Sequence, residues 1–356
     1  MSTYWSKESS EMENKTRRAF LQWIAIQMSA VFGGSLLASC GKQEPHSLQT
    51  TALPIAKPIQ PTEVEPTDAP TQTEQAAAEP SATPNGHPHL AVSRGGEPEA
   101  LVRHAVAALG GMMRFVSTGD DVIVKPNACV DYRTYEYAAT TNPWVVGEIV
   151  RLCLEAGAGR VRVMDFPFGG DSESAYWSSG IQEQVLAAGG EMEPIRFLKF
   201  VETEIPDALD LKKCQIYEDV LLADVVINVP IAKHHSLARL TLGMKNLMGV
   251  IRDRPYMHGN LGQRLADLTS RVHPALTIVD AVRILQRSGP TGGRLSDVQK
   301  IDTVIASPDI VAADSYASTL FGLQPTDLSY IVSGLNMGLG QADLATMKIE
   351  EIAVGA

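Results

Sequence analysis

DVVINVPIAKHHS, residues 224–236, sets the reading of the whole chain. Its first half, Asp224 to Val229, is a nearly continuous apolar run with no polar face. Such a strand must be covered on both sides, as in a parallel sheet between helical layers. Its second half passes Pro230 into Lys233, His234 and His235, so chemistry-bearing side chains begin where the apolar run stops. The same alternation extends outward in both directions. Glu97 to Gly111 is helical, Asp121 to Lys125 is a β-branched strand, and Asn142-Pro143 opens a helix that closes at Gly157. Val161 to Asp165 reads as a strand, 174–188 as a helix, 261–272 as a helix, Ala275 to Asp280 as a strand, Thr303 to Ser307 as a strand and 309–321 as a helix. Strands spaced by helices predict an α/β, Rossmann-like layered domain with a mostly parallel sheet. The segments 191–222 and 247–260 read as insertions or a cap.

In open parallel sheets, ligands lie outside the carboxyl ends of the strands. Candidate site residues therefore stand just past each expected strand: Lys125-Pro126-Asn127, Asp165, Lys233-His234-His235, Asp280 and Ser307-Pro308-Asp309. The run KHHSLARLTLGMKNLMG, residues 233–249, adds Lys245 and Asn246. Lys125, Asn127, Lys233, Lys245 and Asn246 are expected to bind an anionic substrate, since lysine supplies point charge for phosphate or carboxylate. Asp165, His234, His235 and Asp280, with His258 reaching in from the cap, are expected to give metal binding or acid–base catalysis. Adjacent histidines diverge on a strand or a helix, which argues against both holding one ion. Each residue alone reads equally as a helix cap or a strand-end partner, and the weight rests on their agreement across several strands. The Gly289-Pro290-Thr291-Gly292-Gly293 loop is a turn, or a set of backbone N–H groups for an anion. No G-x-G-x-x-G stands after a strand, and neither a P-loop nor a G-x-S-x-G elbow is present.

The chain has 356 residues and a net charge of -11, which argues against a nucleic-acid partner. Its four cysteines, Cys40, Cys129, Cys153 and Cys214, form no C-x-x-C pair, and an iron–sulfur cluster is not expected. Near the start, Arg17-Arg18-Ala19-Phe20-Leu21 precedes an uncharged stretch from Trp23 to Ser39, a pattern that resembles a twin-arginine export signal. The stretch ends Leu37-Ala38-Ser39-Cys40, which resembles a lipoprotein box with Cys40 as the acylated residue. A proline-, threonine- and glutamate-rich tract comes next and is expected to be a disordered tether with a span of ~35–45 Å. The expected organisation is a signal peptide over 1–39, a tether over 40–94 and a globular domain over 95–356.

The globular part resembles the family catalogued as domain of unknown function 362. The resemblance is carried in order by VIVKPN (122–127), ATTNP (139–143), AGAGRVRVMD (156–165), INVPIAKHHS (227–236) and LTLGMKNLMG (240–249). LTIVDAVRILQRSGPTGG (276–293) and PDIVAADSYAS (308–318) complete it. Many members carry an appended ferredoxin module, which this chain lacks. Where many have Met-Glu-Gly before the Gly-Pro loop, this chain has Leu285-Gln286-Arg287, so it resembles the exported, twin-arginine branch. Two functions stand as expectations. One is an exported, membrane-tethered enzyme acting on a small anionic substrate, assisted by a divalent metal or by acid–base groups. The other is a non-catalytic solute-binding or redox-accessory lipoprotein. Either way the expected partners are the twin-arginine export machinery and a lipid bilayer, reached through acylated Cys40. The expected location is the outer face of the cytoplasmic membrane or the cell envelope.

Cys40→Ala should abolish acylation and release the protein from a membrane fraction washed in high salt; retention of the variant on membranes would refute the anchor. Arg17→Lys with Arg18→Lys keeps the charge and should stop export, read as precursor accumulation in the cytoplasm.

Overall fold

The computed structural model describes residues 86–355, so the arginine pair, Cys40 and nearly all of the tether lie outside the described residues. The described strands are β1 (Leu90–Arg94), β2 (Asp121–Pro126), β3 (Arg160–Val163), β4 (Glu191–Met192), β5 (Phe200–Glu204), β6 (Lys213–Tyr217), β7 (Val225–Val229), β8 (Ile231–His235), β9 (Arg239–Thr241), β10 (Leu276–Leu285), β11 (Val298–Ser307) and β12 (Ile349–Ala353). The helices are α1 (Pro98–Ala108), α2 (Pro143–Glu155), α3 (Ser172–Ser178), α4 (Ile181–Ala187), α5 (Glu218–Leu222), α6 (Gly243–Asn246), α7 (Arg254–Met257), α8 (Leu261–Val272), α9 (Ile310–Thr319) and α10 (Ser329–Asn336). The main sheet runs β12-β1-β11-β10-β7-β2-β3-β4, with β8 and β9 attached beside β10. From β10 through β7, β2, β3 and β4 all pairings are parallel, whereas β11 is antiparallel to both β10 and β1.

The apolar strands are buried on both faces, as their sequence requires. Val122 and Val124 of β2, with Val225, Ile227 and Val229 of β7, pack on the side that carries α1 and α2. Ile123 and Val226, one residue out of phase, pack on the other side with α8, α9 and α10. The β5–β6 hairpin forms a separate two-stranded sheet inside the expected insertion.

The structure corrects four expectations. The sheet begins at Leu90, inside the segment assigned to the tether, and Leu90, Ala91 and Val92 are fully buried. The helix expected over 174–188 is two helices, because Gly180 at φ 78° breaks it. Strand β10 does not stop at Asp280 but continues to Leu285. Because β11 runs antiparallel, Ser307 and Asp309 fall on the opposite edge from the other strand ends; there Asp309 accepts from Ala312 N at 2.9 Å as the cap of α9.

Pro230 has no N–H to donate and divides one line of chain into β7 and β8. Both segments pair with β10, the first at Leu276–Thr277 and the second at Asp280 and Leu285. Lys233 is thereby a strand residue, held by Leu285 of β10 on one side and Thr241 of β9 on the other, and His235 pairs with Arg239 of β9. Helix α6, which carries Lys245 and Asn246, is fixed by Asp314 of α9. The Asp314 carboxylate accepts from Gly243 N at 2.6 Å and from Met244 N at 2.9 Å. Burial pushes this carboxyl up to about 7.

A carboxyl raised in the folded state weakens folding as pH climbs from its unfolded value, near 4, to about 7. Asp314→Asn should remove that slope. It should also cost ~1–3 kcal/mol, because an amide NH2 then faces a backbone donor. Urea unfolding of both proteins at pH 5 and pH 8 reads both effects.

Candidate functional site

The period of two along β2 places Lys125 on the same side as Ile123, and the register sets it beside Asn228 of β7. Its ammonium is fully buried. It is held by Asp165 Oδ1 at 2.7 Å, Pro126 O at 2.9 Å and Asn246 Oδ1 at 3.0 Å. Burial pushes the Lys125 ammonium down to about 8 against the opposing pull of Asp165. The second Asp165 oxygen accepts from Ala128 N at 2.7 Å. Gly249 permits this pair: a Cβ there would collide with the Asp165 carboxylate and the Lys125 ammonium. Its carbonyl accepts from Phe166 N at 2.9 Å, closing the loop after β3 against the turn after α6.

Asparagine amides connect the lysines. Asn246 Oδ1 takes both the Lys125 ammonium and Asn127 Nδ2, the latter at 2.8 Å, while Asn246 Nδ2 donates to Asn228 Oδ1 at 2.9 Å. Asn127 Oδ1 in turn accepts from Lys233 Nζ at 2.9 Å, and Lys233 also donates to Ala139 O at 2.5 Å. The Thr140-Thr141-Asn142 segment secures Asn127 from outside. Thr141 Oγ1 accepts from Asn127 N at 2.8 Å, and Thr140 Oγ1 donates to Asn127 O at 2.6 Å.

Lys245 is different. Its side chain is 8% exposed and makes no hydrogen bond or ion pair among the described residues. Burial, then the neighbouring Lys233 and Arg254, push it down to about 7, with Lys125 adding to the effect and Cys129 opposing it. Arg254 donates to Met248 O at 3.0 Å, Pro167 O at 2.8 Å and Phe166 O, and lies 4.1 Å over the Phe166 ring. His235 Nδ1 accepts from Leu237 N at 3.1 Å and Ala238 N at 3.2 Å, which places its proton on Nε2. Burial and then Lys245 hold His235 neutral, down to about 3. His258, exposed on the turn after α7, is lowered by partial burial and then by Lys245.

Of the expected residues, Lys125, Asn127, Asp165, Lys233, Lys245 and Asn246 thus form one network or lie within its field, with His235 and His258 beside Lys245. Two do not join it. His234, next along β8, accepts from Gly289 N at 3.2 Å through Nδ1 and serves the Gly289 loop. Asp280 is fully buried, and its carboxylate accepts from Asn142 N at 2.7 Å and Val282 N at 3.0 Å. It shares the strand parity of Leu276 and Ile278, which face α1 and α2, whereas Lys125 faces the other side of the sheet. Asp280 is an anchor for the start of α2. Burial raises it to about 6. Among Lys125, Asp165, Lys233, His234 and Asp280, the widely spaced residues expected to meet, only the first three converge.

Arg254 is not expected from the sequence, and nothing in Asp253-Arg254-Pro255 marks it. Cys129, which the sequence presents as a small hydrophobe, is buried but faces the cations, with Sγ donating to Pro290 O at 3.5 Å. Among the described residues no group of three His, Cys, Asp or Glu side chains is placed to hold a metal ion. Two surface cavities, of about 720 and 350 Å³, lie elsewhere, beside Trp177 and beside Trp144. Neither is lined by these cations.

The chain is similar to several known proteins. The thylakoid-associated protein sll1697 of Synechocystis sp. is 28% identical over 255 residues, covering 67% of this chain and 75% of that protein. Among solved structures, the lactate racemase apoprotein from Thermoanaerobacterium thermosaccharolyticum matches at 12% identity and a TM-score of 0.36, over 60% of this chain. A protein from Thermotoga maritima matches at 12% identity and a TM-score of 0.38, over 64% of this chain. The chain spans 53% and 60% of the lengths of those two proteins. Residues 122–319, which run from β2 to the end of α9 and hold every member of the lysine network, match the family model for domain of unknown function 362, and the chain belongs to that family.

Proposed function

We propose that the protein is an exported, membrane-tethered enzyme whose buried lysine network binds a small anion, a carboxylate or a phosphate, and moves a proton on it. The observation that carries the reading is the charge imbalance. Lys125, Lys233, Lys245 and Arg254 stand together with Asp165 as the one carboxylate in contact with them among the described residues. Buried charges need partners. Lys125 and Lys233 have oxygen partners supplied by the protein, Lys245 has none among the described residues, and a ligand anion is the counter-charge assigned to it. An amine that titrates near neutral pH is also suited to general acid–base work, with neutral His235 as a hydrogen-bond donor through Nε2. The tethered part of the proposal rests on the sequence before residue 86, and a thylakoid-associated relative agrees in kind with a membrane address.

The experiment is a thermal-shift titration with inorganic phosphate and with acetate at constant ionic strength. At a hundred times Kd a ligand of the folded state adds ~2.7 kcal/mol, which reads as a rise of several degrees. Gly249→Ala, which drives a methyl group into the Lys125–Asp165 pair, should abolish the rise. Asp280→Asn should lower the baseline Tm and leave the rise intact. The pH dependence has a definite sign. Lys245 is protonated below about 7 in the free protein, so affinity should be flat at acid pH and fall as pH climbs through about 7. Affinity that is independent of pH from 6 to 9, or a rise that survives Gly249→Ala, would refute the site.

A further inference from the structure

Three lysines reach one buried region and meet three different fates. Lys125 is fixed by a carboxylate, a carbonyl and an amide oxygen, and Lys233 by a carbonyl and an amide oxygen. Lys245 is buried beside them and makes no hydrogen bond or ion pair among the described residues. For electrostatic binding alone a bare ammonium is a weak choice, since an arginine fork would be always charged and bidentate. A lysine amine set among other cations is instead the arrangement that frees a nucleophile. Resting on the anion-site reading above, we infer that Lys245 captures the carbonyl carbon of a small oxo acid as an imine, with the acid's carboxylate held by the neighbouring cations.

The chemistry balances without an oxidant or a metal. The neutral Lys245 amine donates its lone pair to the carbonyl carbon, and the π pair of the C=O bond moves to oxygen, which takes up a proton. The nitrogen then loses a proton, leaving a neutral carbinolamine. A second proton on the hydroxyl lets it leave as water, and the nitrogen lone pair closes the C=N bond of the iminium. One water is released for each bond formed. His258, exposed at the rim and within the field of Lys245, relays these protons to and from solvent, while neutral His235, with its proton on Nε2, is a hydrogen-bond donor beside the reacting oxygen. The groups that face Lys245 are Lys125 on β2, Cys129 on the loop after it, Lys233 and His235 on β8, Arg254 on α7 and His258 on the turn beyond. None of these groups is a carboxylate, so little there would pin the ammonium in place. Asp165, the carboxylate within this region, is already engaged by Lys125 and Ala128 N.

The test is reductive trapping. The full chain is incubated at pH 7.4 with pyruvate and sodium cyanoborohydride, and the product is mapped by peptide mass spectrometry. The expected result is one reduced adduct per chain at Lys245. It should form roughly a hundredfold faster than on surface lysines, whose ammonium persists to about pH 10. Inorganic phosphate should suppress it. Lys245→Met, with its fold checked by circular dichroism, should take up label only at the surface rate. Labelling of Lys245 no faster than the surface lysines overturns the imine, and the mapped wild-type protein decides this whether or not the variant folds. If phosphate still raises Tm in that case, the anion site stands and only the imine fails. If phosphate has no effect on Tm either, both fail.

Discussion

A buried ammonium needs oxygen around it, and this requirement organises the middle of the sheet. Taking a charge out of water costs several kcal/mol per ion even after relaxation. Around Lys125 that cost is offset by one carboxylate, one carbonyl and one amide oxygen. Those oxygens come from the end of β2, the loop after β3 and α6, so the pair draws three distant parts of the chain together. Asn246 is the joint, because a single amide oxygen accepts from Lys125 and Asn127 while its nitrogen reaches Asn228. Asn246 supplies one of the three oxygens on Lys125, and Asp314 holds the start of the helix that carries it.

Strand parity and strand ends make much of this legible in the sequence. The apolar runs at 121–125 and 224–229 can only be central strands, and the polar residues at or just beyond their ends, Lys125, Asn127 and Lys233, fall where a parallel sheet gathers its ends. The layered fold comes from the same runs. Two physical facts are not written there. Direction is one: Thr303 to Ser307 is as apolar as the others, and nothing local tells an antiparallel strand from a parallel one, so Asp309 reads as belonging to an edge it does not occupy. Strand length is the other. Asp280 resembles a terminus because a charge ends an apolar run, yet β10 continues through it to Leu285.

Aspartates illustrate why residue type alone is a poor guide to chemistry. Asp267 is fully buried and accepts from Leu209 N, Asp210 N and Leu211 N, tying the loop between β5 and β6 to α8. Asp280 anchors the start of α2, and Asp314 the start of α6. Each satisfies backbone donors that would otherwise be stranded out of water. Asp165 is set apart by its partner, a lysine ammonium, and that partner is visible only once β2 and β3 lie side by side.

The antiparallel placement of β11 also governs the order in which the molecule can be completed. Strand β1 is made early, yet it sits between β11 and β12 and touches no earlier strand. Its side-chain bond from Ser93 to Val304 spans 211 positions. At 5–20 residues per second, synthesis of that interval takes roughly 10–40 s. During that time the strand, Leu-Ala-Val-Ser-Arg with its first three residues destined for the core, has both edges unpaired and α1 beside it. Closing so long a loop is entropically expensive and slow relative to helix formation. The parallel half from β2 to β7 can assemble first, while β1 is a late strand despite its early place in the chain, and its exposed edges in that interval are where a nascent molecule is most open to self-association or to a holding chaperone.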